Sequence, residues 1–378
     1  MPSHTLTSER EREDFVMGCA FFGSGGGGDP QVGLGLLRRE ADAGHPLRWT
    51  DLSEIPGDAW TTRISRTGTT APPTPEMVEQ QKRLGLGDPT VPDFQARAIE
   101  ALARHIGHRI SVIVPPELGA SNTAAALAVG AATGLTVADA DYVGRAIPEI
   151  ANTIPVLHGR PIWPMAMVDR WGTTAILAAA AGPHVAERYV RHTAVAAFGF
   201  TGVAAFPYQA RDMVQVVAPN TLTQCLRTGE AIREAAGQRV PVEAVAAAVD
   251  GRVLFTGVVQ RSRGENRDGF FWGEHHLRGT GRDRDAEFRI WFKNENLISW
   301  LNNRPYVTAP DLLILVLAET ARPLTNPEVR EGQSVAVLGV RSPAPYRTPE
   351  GIDNLGPRHF GFDQEYVPLE ALVDGKAP

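Results

Sequence analysis

The segment VADADYVGRAIPEI places Asp139, Asp141, Arg145 and Glu149 within eleven residues, directly after an apolar run. If the strand that this run predicts continues to residue 141, the side chains at 139 and 141 share one face and their carboxyls sit side by side at its end. Two acids that close cannot both ionise freely, so the pair would hold a divalent metal or divide the roles of general acid and general base. Arg145 would then offset charge or clamp an anionic group, and Glu149 would orient it. The competing reading makes Asp139 and Asp141 caps of the following turn, with Arg145 and Glu149 an i, i+4 pair on a helix surface. A second stretch, CAFFGSGGGGDPQVGLGLL, spends five glycines in six positions, Gly23 and Gly25 to Gly28, before Asp29 and Pro30. So much backbone freedom is costly, and it implies a very tight turn or the close approach of a ligand to main chain. The amides of Gly25, Gly26, Gly27 and Gly28, with Asp29, are therefore candidate substrate-binding groups. The run has neither the dinucleotide-binding spacing nor the lysine of a phosphate-binding loop, which weakens a nucleotide reading. A third stretch, PPELGASNT, adds Glu117 and Asn122 at the junction of a strand and a helix.

The elements that must position these groups follow from the apolar pattern. FVMGCAFFG reads as a buried strand, and PQVGLGLLRREADAG as the helix after it, with Pro30 in the first turn and Gly44 as the stop. A helix is predicted over 93–106, then a strand in RISVIVPPELG, a small-residue helix capped by Ser121 or Asn122, and a strand in LTVADAD. In an open α/β sheet ligands bind beyond the carboxyl ends of strands, where Asp29, Glu117, Asn122 and Asp141 would converge. Helices follow at HVAERYVRHTAVAAFG and NTLTQCLRTGEAIREAAG. From GRVLFTGVVQRSR onward the segments are short, alternating, and rich in β-branched and aromatic residues. The expected architecture is thus an α/β unit over 1–240, a mixed sheet with flanking helices, and a β-rich unit over 241–378; the helices between 184 and 236 could pack on either.

Other reactive side chains carry less. Cys225 sits in a helical pattern with no histidine nearby in sequence, which favours a core residue over a nucleophile. His275 and His276 are neighbours on a strand and point to opposite faces. In FKNENLISW, Asn294 and Asn296 would share one face and Glu295 the other, as solvated strand residues.

Bulk properties exclude several classes. The net charge of −6 is spread along the chain, with no basic face for a nucleic acid or a membrane. The longest apolar stretch, Ala194 to Phe206, is too short to span a bilayer, and the polar start does not read as a signal peptide. Two cysteines make no disulfide framework. A cytoplasmic location is expected, with a small molecule as partner and a homo-oligomer formed over exposed sheet edges.

The motifs GSGGGGDP (23 to 30), ELGASNT (117 to 123), VADADYVGRAIPEI (137 to 150), NTLTQCLRTGEAI (220 to 232), FKNENL (292 to 297), APDLLILV (309 to 316) and NLGPRHFGFDQEYVPL (354 to 369) run in order over nearly the whole chain. Together they resemble the bacterial family named for S-methyl thiohydantoin desulfurase. The resemblance implies an α/β unit joined to a β-rich unit, and action on small five-membered cyclic ureides or thioureides. In the reaction that names the family, water replaces a methylthio group on a thiohydantoin. Two positions depart from the pattern: Ser24 stands where relatives carry threonine, and His359 where alanine is expected. The expected function is hydrolysis of such a ring, with water activated by Asp139 or Asp141, Arg145 and Glu149 as orienting partners, and the glycine amides, Asp29, Glu117 and Asn122 around the ring. No cofactor is demanded, and a divalent metal on Asp139 and Asp141 stays open. The alternatives are a non-catalytic binding or regulatory subunit of a hydantoinase-type system, and a lyase or isomerase using the same acid pair.

Overall fold

The computed structural model describes residues 3–68, 74–267 and 269–372. The first helix, α1 (Glu9–Phe22), opens on a capping box in which Ser8 and Glu11 satisfy each other's backbone N–H. It replaces the strand expected in FVMGCAFFG. The eight residues at 14–16 and 18–22 are buried, so this half-helix is apolar on every side and its pattern cannot be told from that of a buried strand. The glycine run therefore leaves a helix, and α2 (Pro30–Asp42) follows it with Asp29 as N-cap.

Strand β1 (Trp60–Gly68), helix α3 (Phe94–Ile106), strand β2 (Ile110–Val114), helix α4 (Ala120–Thr133) and the short strand β3 (Thr136–Val137) come next. The predicted Ser121 or Asn122 cap is replaced by Gly119, whose N–H donates to Thr123 Oγ1 at 2.9 Å. The strand expected through LTVADAD breaks after Val137. Ala140–Asp141 pairs instead with Ala218–Pro219, away from the main sheet. Strands β4 (Met165–Val168) and β5 (Thr174–Leu177), helix α5 (Pro183–Ala196) and strand β6 (Phe200–Ala205) complete this layer. The sheet order is β3-β2-β1-β6-β4-β5, with β1, β2 and β3 parallel and the rest antiparallel, a mixed sheet with flanking helices.

Helix α6 (Thr221–Ala235) lies on α1. A Cβ at Gly18 would strike the Cys225 carbonyl and one at Gly229 the Asp14 carbonyl, both closer than 3.0 Å, so each helix lends a glycine to the crossing. Cys19 and Cys225 are free thiols buried at this interface, and burial raises the Cys225 thiol well above its ordinary value. That is the core environment expected for Cys225.

The rest is strand-rich: β7 (Arg252–Arg267), β8 (Phe270–Gly279), β9 (Glu287–Lys293), β10 (Glu295–Leu301), β11 (Arg304–Thr308), β12 (Leu312–Leu317) and β13 (Ser334–Val340). They form one antiparallel sheet in the order β11-β10-β9-β8-β7-β13-β12. The stretch FKNENL is not one strand but a reversal. Asn294 takes φ of 60°, a left-handed conformation that asparagine tolerates, and Lys293 pairs across to Glu295. No helix of the described residues is long and apolar enough to cross a membrane.

Candidate active site

Three loops of the N-terminal layer meet. Ser121 and Asn122 donate their backbone N–H groups to the Gly27 carbonyl at 3.1 and 3.3 Å, Leu118 N–H to Arg145 O at 3.2 Å, and Ala146 N–H to Phe22 O at 3.2 Å. Two segments of the other sheet close on them: at the β9–β10 reversal Asn296 N–H donates to Ser24 O at 2.7 Å, and between β12 and β13 Asn326 N–H donates to Gly25 O at 2.8 Å. The glycines make this possible. Gly25, Gly27 and Gly28 all have φ between 73° and 91°, and a Cβ at Gly26, Gly27 or Gly28 would lie closer than 3.0 Å to Glu295 Oε1, Gly119 Cα or Ser121 Oγ respectively. The run is wedged between the N-terminus of α4 and the reversal, touching protein on both sides. Asp29 is exposed and spends its carboxylate on the cap of α2, accepting from Gln31 N–H at 2.7 Å.

The acids of the third loop divide. Asp139 Oδ1 accepts from the N–H groups of Leu222 and Thr223, and Oδ2 from Thr223 Oγ1 at 2.6 Å, so it caps α6. Asp141 Oδ1 accepts from Val143 and Gly144 N–H at 2.6 Å each. Its Oδ2 and the nearby Thr221 hydroxyl are buried and make no hydrogen bond of good geometry, and burial pushes the carboxyl up to about 7. The two acids thus serve different elements rather than one shared ligand, and a metal on them would compete with these bonds. Among the described residues no three His, Cys, Asp or Glu side chains are grouped as a metal site.

Arg145 is fully buried and reaches across to the second sheet. Nε donates to Ala146 O, Nη1 to Pro310 O at 2.7 Å and Asp311 O at 3.2 Å, and Nη2 to Asn296 O at 3.4 Å. Burial draws it down to about 10 against the pull of Glu295 and Asp311. Its donors are spent on carbonyls, so it acts as an interior countercharge. Glu149 lies at the rim, on Lys293 and within 3.5 Å of His359 and 3.7 Å of His184. Burial raises its pKa, but bonds from His359 and Lys293 outweigh that and hold it at about 2. Lys293 is itself flanked by the rings of Phe270 at 4.1 Å and Trp272 at 4.9 Å.

Two carboxyls remain at the centre. Glu117 accepts from Asn122 Nδ2 at 2.6 Å and from Ile147 N–H at 2.8 Å, and is 8% exposed. Glu295, expected on a solvated face, is 2% exposed, with Oε1 against Gly26 and Oε2 without a partner. Burial raises both, Glu295 strongly, and the charge of Glu117 raises Glu295 further while Arg145 opposes it. Pattern reading missed Glu295 because it took FKNENL as continuous strand. Hollows of about 470 and 460 Å³ exist on the β-rich sheet, and neither is lined by Glu117, Glu149 or Glu295.

Comparison with known proteins adds the family. The S-Me-THD-like N-terminal domain matches residues 10–179 and the S-Me-THD-like C-terminal domain residues 181–369. The chain belongs to the S-Me-THD-like family. It is similar to the X-ray structure of a protein from Chromobacterium violaceum, with 22% identity, a TM-score of 0.77, and coverage of 97% of this chain and 100% of that one. At that identity the likeness speaks for the fold. Among curated proteins none matches. Within the S-Me-THD-like frame, Glu117 comes from the N-terminal match and Glu295 from the C-terminal one, so the central carboxyls belong to different halves.

Proposed function

We propose that this chain is an enzyme acting on a small five-membered ring of the thiohydantoin or hydantoin type, with water as the attacking group. The family name supports the ring class. The observation that carries the reading is the buried pair of Glu117 and Glu295, two carboxyls with raised pKa values at a junction of loops. Burial favours the neutral form of both and the charge of one raises the other, so they ionise one at a time, one member serving as base and the other as acid. On an S-methyl thiohydantoin the ionised carboxylate takes a proton from water as its oxygen bonds to the ring carbon that bears sulfur. The protonated carboxyl gives its proton to the ring nitrogen. The C–S bond then breaks, methanethiol leaves with the second proton of water, and a ring C=O and N–H remain. Asn122, through its bond to Glu117, orients that carboxyl, and Arg145 supplies the interior countercharge. Asp141, raised by burial to about 7, and Asp139 hold the scaffold rather than the water.

The test uses the purified full chain with S-methyl thiohydantoin, thiohydantoin, hydantoin, a lactam and an imide in heavy-oxygen water. Incorporation of label at the ring carbonyl is expected for at least one sulfur-bearing ring. Glu117→Gln and Glu295→Gln should each lower kcat by roughly 10²-fold or more with the melting temperature held. Full turnover in both variants would remove the two acids from the chemistry.

A further inference from the structure

A serine and a histidine that face each other across β7 and β8 take no part in the chemistry above. Ser262 and His275 are direct partners in the ladder, and Ser262 Oγ lies 2.9 Å from His275 Nδ1. On the far side of the ring His275 Nε2 meets Asn326 Oδ1 at 2.9 Å, and Asn326 Nδ2 donates to Asn294 O at 2.7 Å. That last bond fixes the protons along the row. An amide whose nitrogen is spent on a carbonyl presents its oxygen to the imidazole, so Nε2 carries the hydrogen and Nδ1 is left to accept from the Ser262 hydroxyl. Hydroxyl, neutral imidazole and orienting amide stand in line, the arrangement that activates a nucleophile.

The surroundings separate this histidine from one that only fills a core. His275 is fully buried with its ring on Phe292 at 4.7 Å, and burial draws it down to about 4, so it rests unprotonated and able to accept a proton. Ser262, by contrast, is half-buried and lines, together with Asn326, the hollow of about 460 Å³. Phe271 and Val329 give that hollow apolar surface, and Arg330 gives it a positive charge. A hydroxyl with a desolvated base behind it and a partly apolar hollow in front suits an acyl group, whose oxyanion the cation would favour.

We infer that Ser262 is the nucleophile of a second active site, with His275 as its base and Asn326 as the group that orients the base, and that it cleaves esters of small acids. Ser262 Oγ bonds to the acyl carbon as its proton passes to His275 Nδ1. The carbon–oxygen bond to the leaving alcohol then breaks, and the alcohol departs with that proton. Water, deprotonated in turn by His275, cleaves the acyl-serine, releases the acid and restores the hydroxyl. Because the outer partner of the imidazole is an amide and not a carboxylate, the imidazolium is weakly stabilised, and the reaction is confined to alcohols that leave readily, such as phenols.

The test treats the purified full chain with a fluorophosphonate, which phosphonylates activated serines, and maps the adduct by mass spectrometry, while p-nitrophenyl acetate reads turnover. An adduct on Ser262 is expected, and Ser262→Ala should lose both that adduct and the cleavage of the aryl ester. In His275→Gln the labelling rate should fall by roughly 10²-fold or more, with circular dichroism and melting curves reporting the fold of each variant. A wild-type chain that takes no label on Ser262 overturns the inference whether or not the variants fold. So does labelling at an unchanged rate in folded His275→Gln, or undiminished cleavage of the aryl ester in folded Ser262→Ala. Neither reagent is a ring substrate, so the outcome stands apart from the reading of Glu117 and Glu295.

Discussion

Substituting alanine at Gly26 and at Gly27 separates a glycine that makes room for chemistry from one that makes room for the fold. Gly26 is outside the left-handed region, and the atoms a Cβ would meet are Oε1, Cδ and Cγ of Glu295, the far end of a side chain. In Gly26→Ala the carboxyl swings aside while the main chain keeps its course. The entropic gain of about 0.4–1 kcal/mol from replacing glycine offsets the crowding, and net stability should stay within roughly 1 kcal/mol. Turnover should nevertheless fall by about 10²-fold, the cost of displacing a catalytic group by an ångström. Gly27 has φ of 73° and a Cβ there would press on Gly119 Cα, which is backbone. Strain of about 1–3 kcal/mol and overpacking of about 1–3 kcal/mol add to a loss of roughly 2–6 kcal/mol in Gly27→Ala. Urea midpoints and turnover of the folded fraction read both variants side by side. Equal stability losses in the two, or full turnover in Gly26→Ala, would refute the placement of Glu295 over Gly26 as a working carboxyl.

Asp139→Ala removes the cap of α6 and three hydrogen bonds, one of them buried, so a loss of at least about 1–2 kcal/mol is expected in the urea midpoint. A stability unchanged to within experimental error would instead free Asp139 for a role in the site. The depressed pKa of Glu149 gives a pH signature. Its carboxylate is bound in the fold and ionises normally in the unfolded chain, so its contribution is complete above pH 4.5 and is lost as pH falls toward about 2. Its side chain is 15% exposed, so the contribution is on the order of 3 kcal/mol. Urea midpoints between pH 6 and 2.5 should fall steeply in the wild type and less in Glu149→Gln, and parallel curves would show that the rim cluster does not hold the charge.

The fold class was legible because the two halves obey different periods. The segments after residue 250 alternate and are punctuated by glycine, and they pair as one antiparallel sheet. The order strand, helix, strand around residues 110–137 likewise predicts the parallel β2 and β3. Helix α1 defeated the same reasoning because a helix buried on all sides loses its 3.6-residue stripe, and the capping box at Ser8 and Glu11 was the signal that could have rescued it. Gly23 to Gly28 and Glu117 were legible as loop residues, and Asn122 as part of the first turn of the helix that meets them. Glu295 was not, since FKNENL reads as one strand and the burial of its carboxyl arises only at the β9–β10 reversal.

The acids show how little spacing alone says about where carboxyls go. Asp139 and Asp141 are two residues apart and invite a shared role, but one residue is drawn to the N-terminus of α6 and the other to its own turn, because amides there outbid water for their oxygens. Glu117 and Glu295 are far apart in sequence and carry no motif in common. They become a pair because Gly26, lacking a Cβ, lets the β9–β10 reversal press its carboxyl down beside the loop that holds Glu117. What they share is desolvation, which arises only when both halves of the chain are packed. Under the proposed function neither half alone would contain the site: the N-terminal layer would offer one acid, and the β-rich sheet the second acid and the wall that buries both.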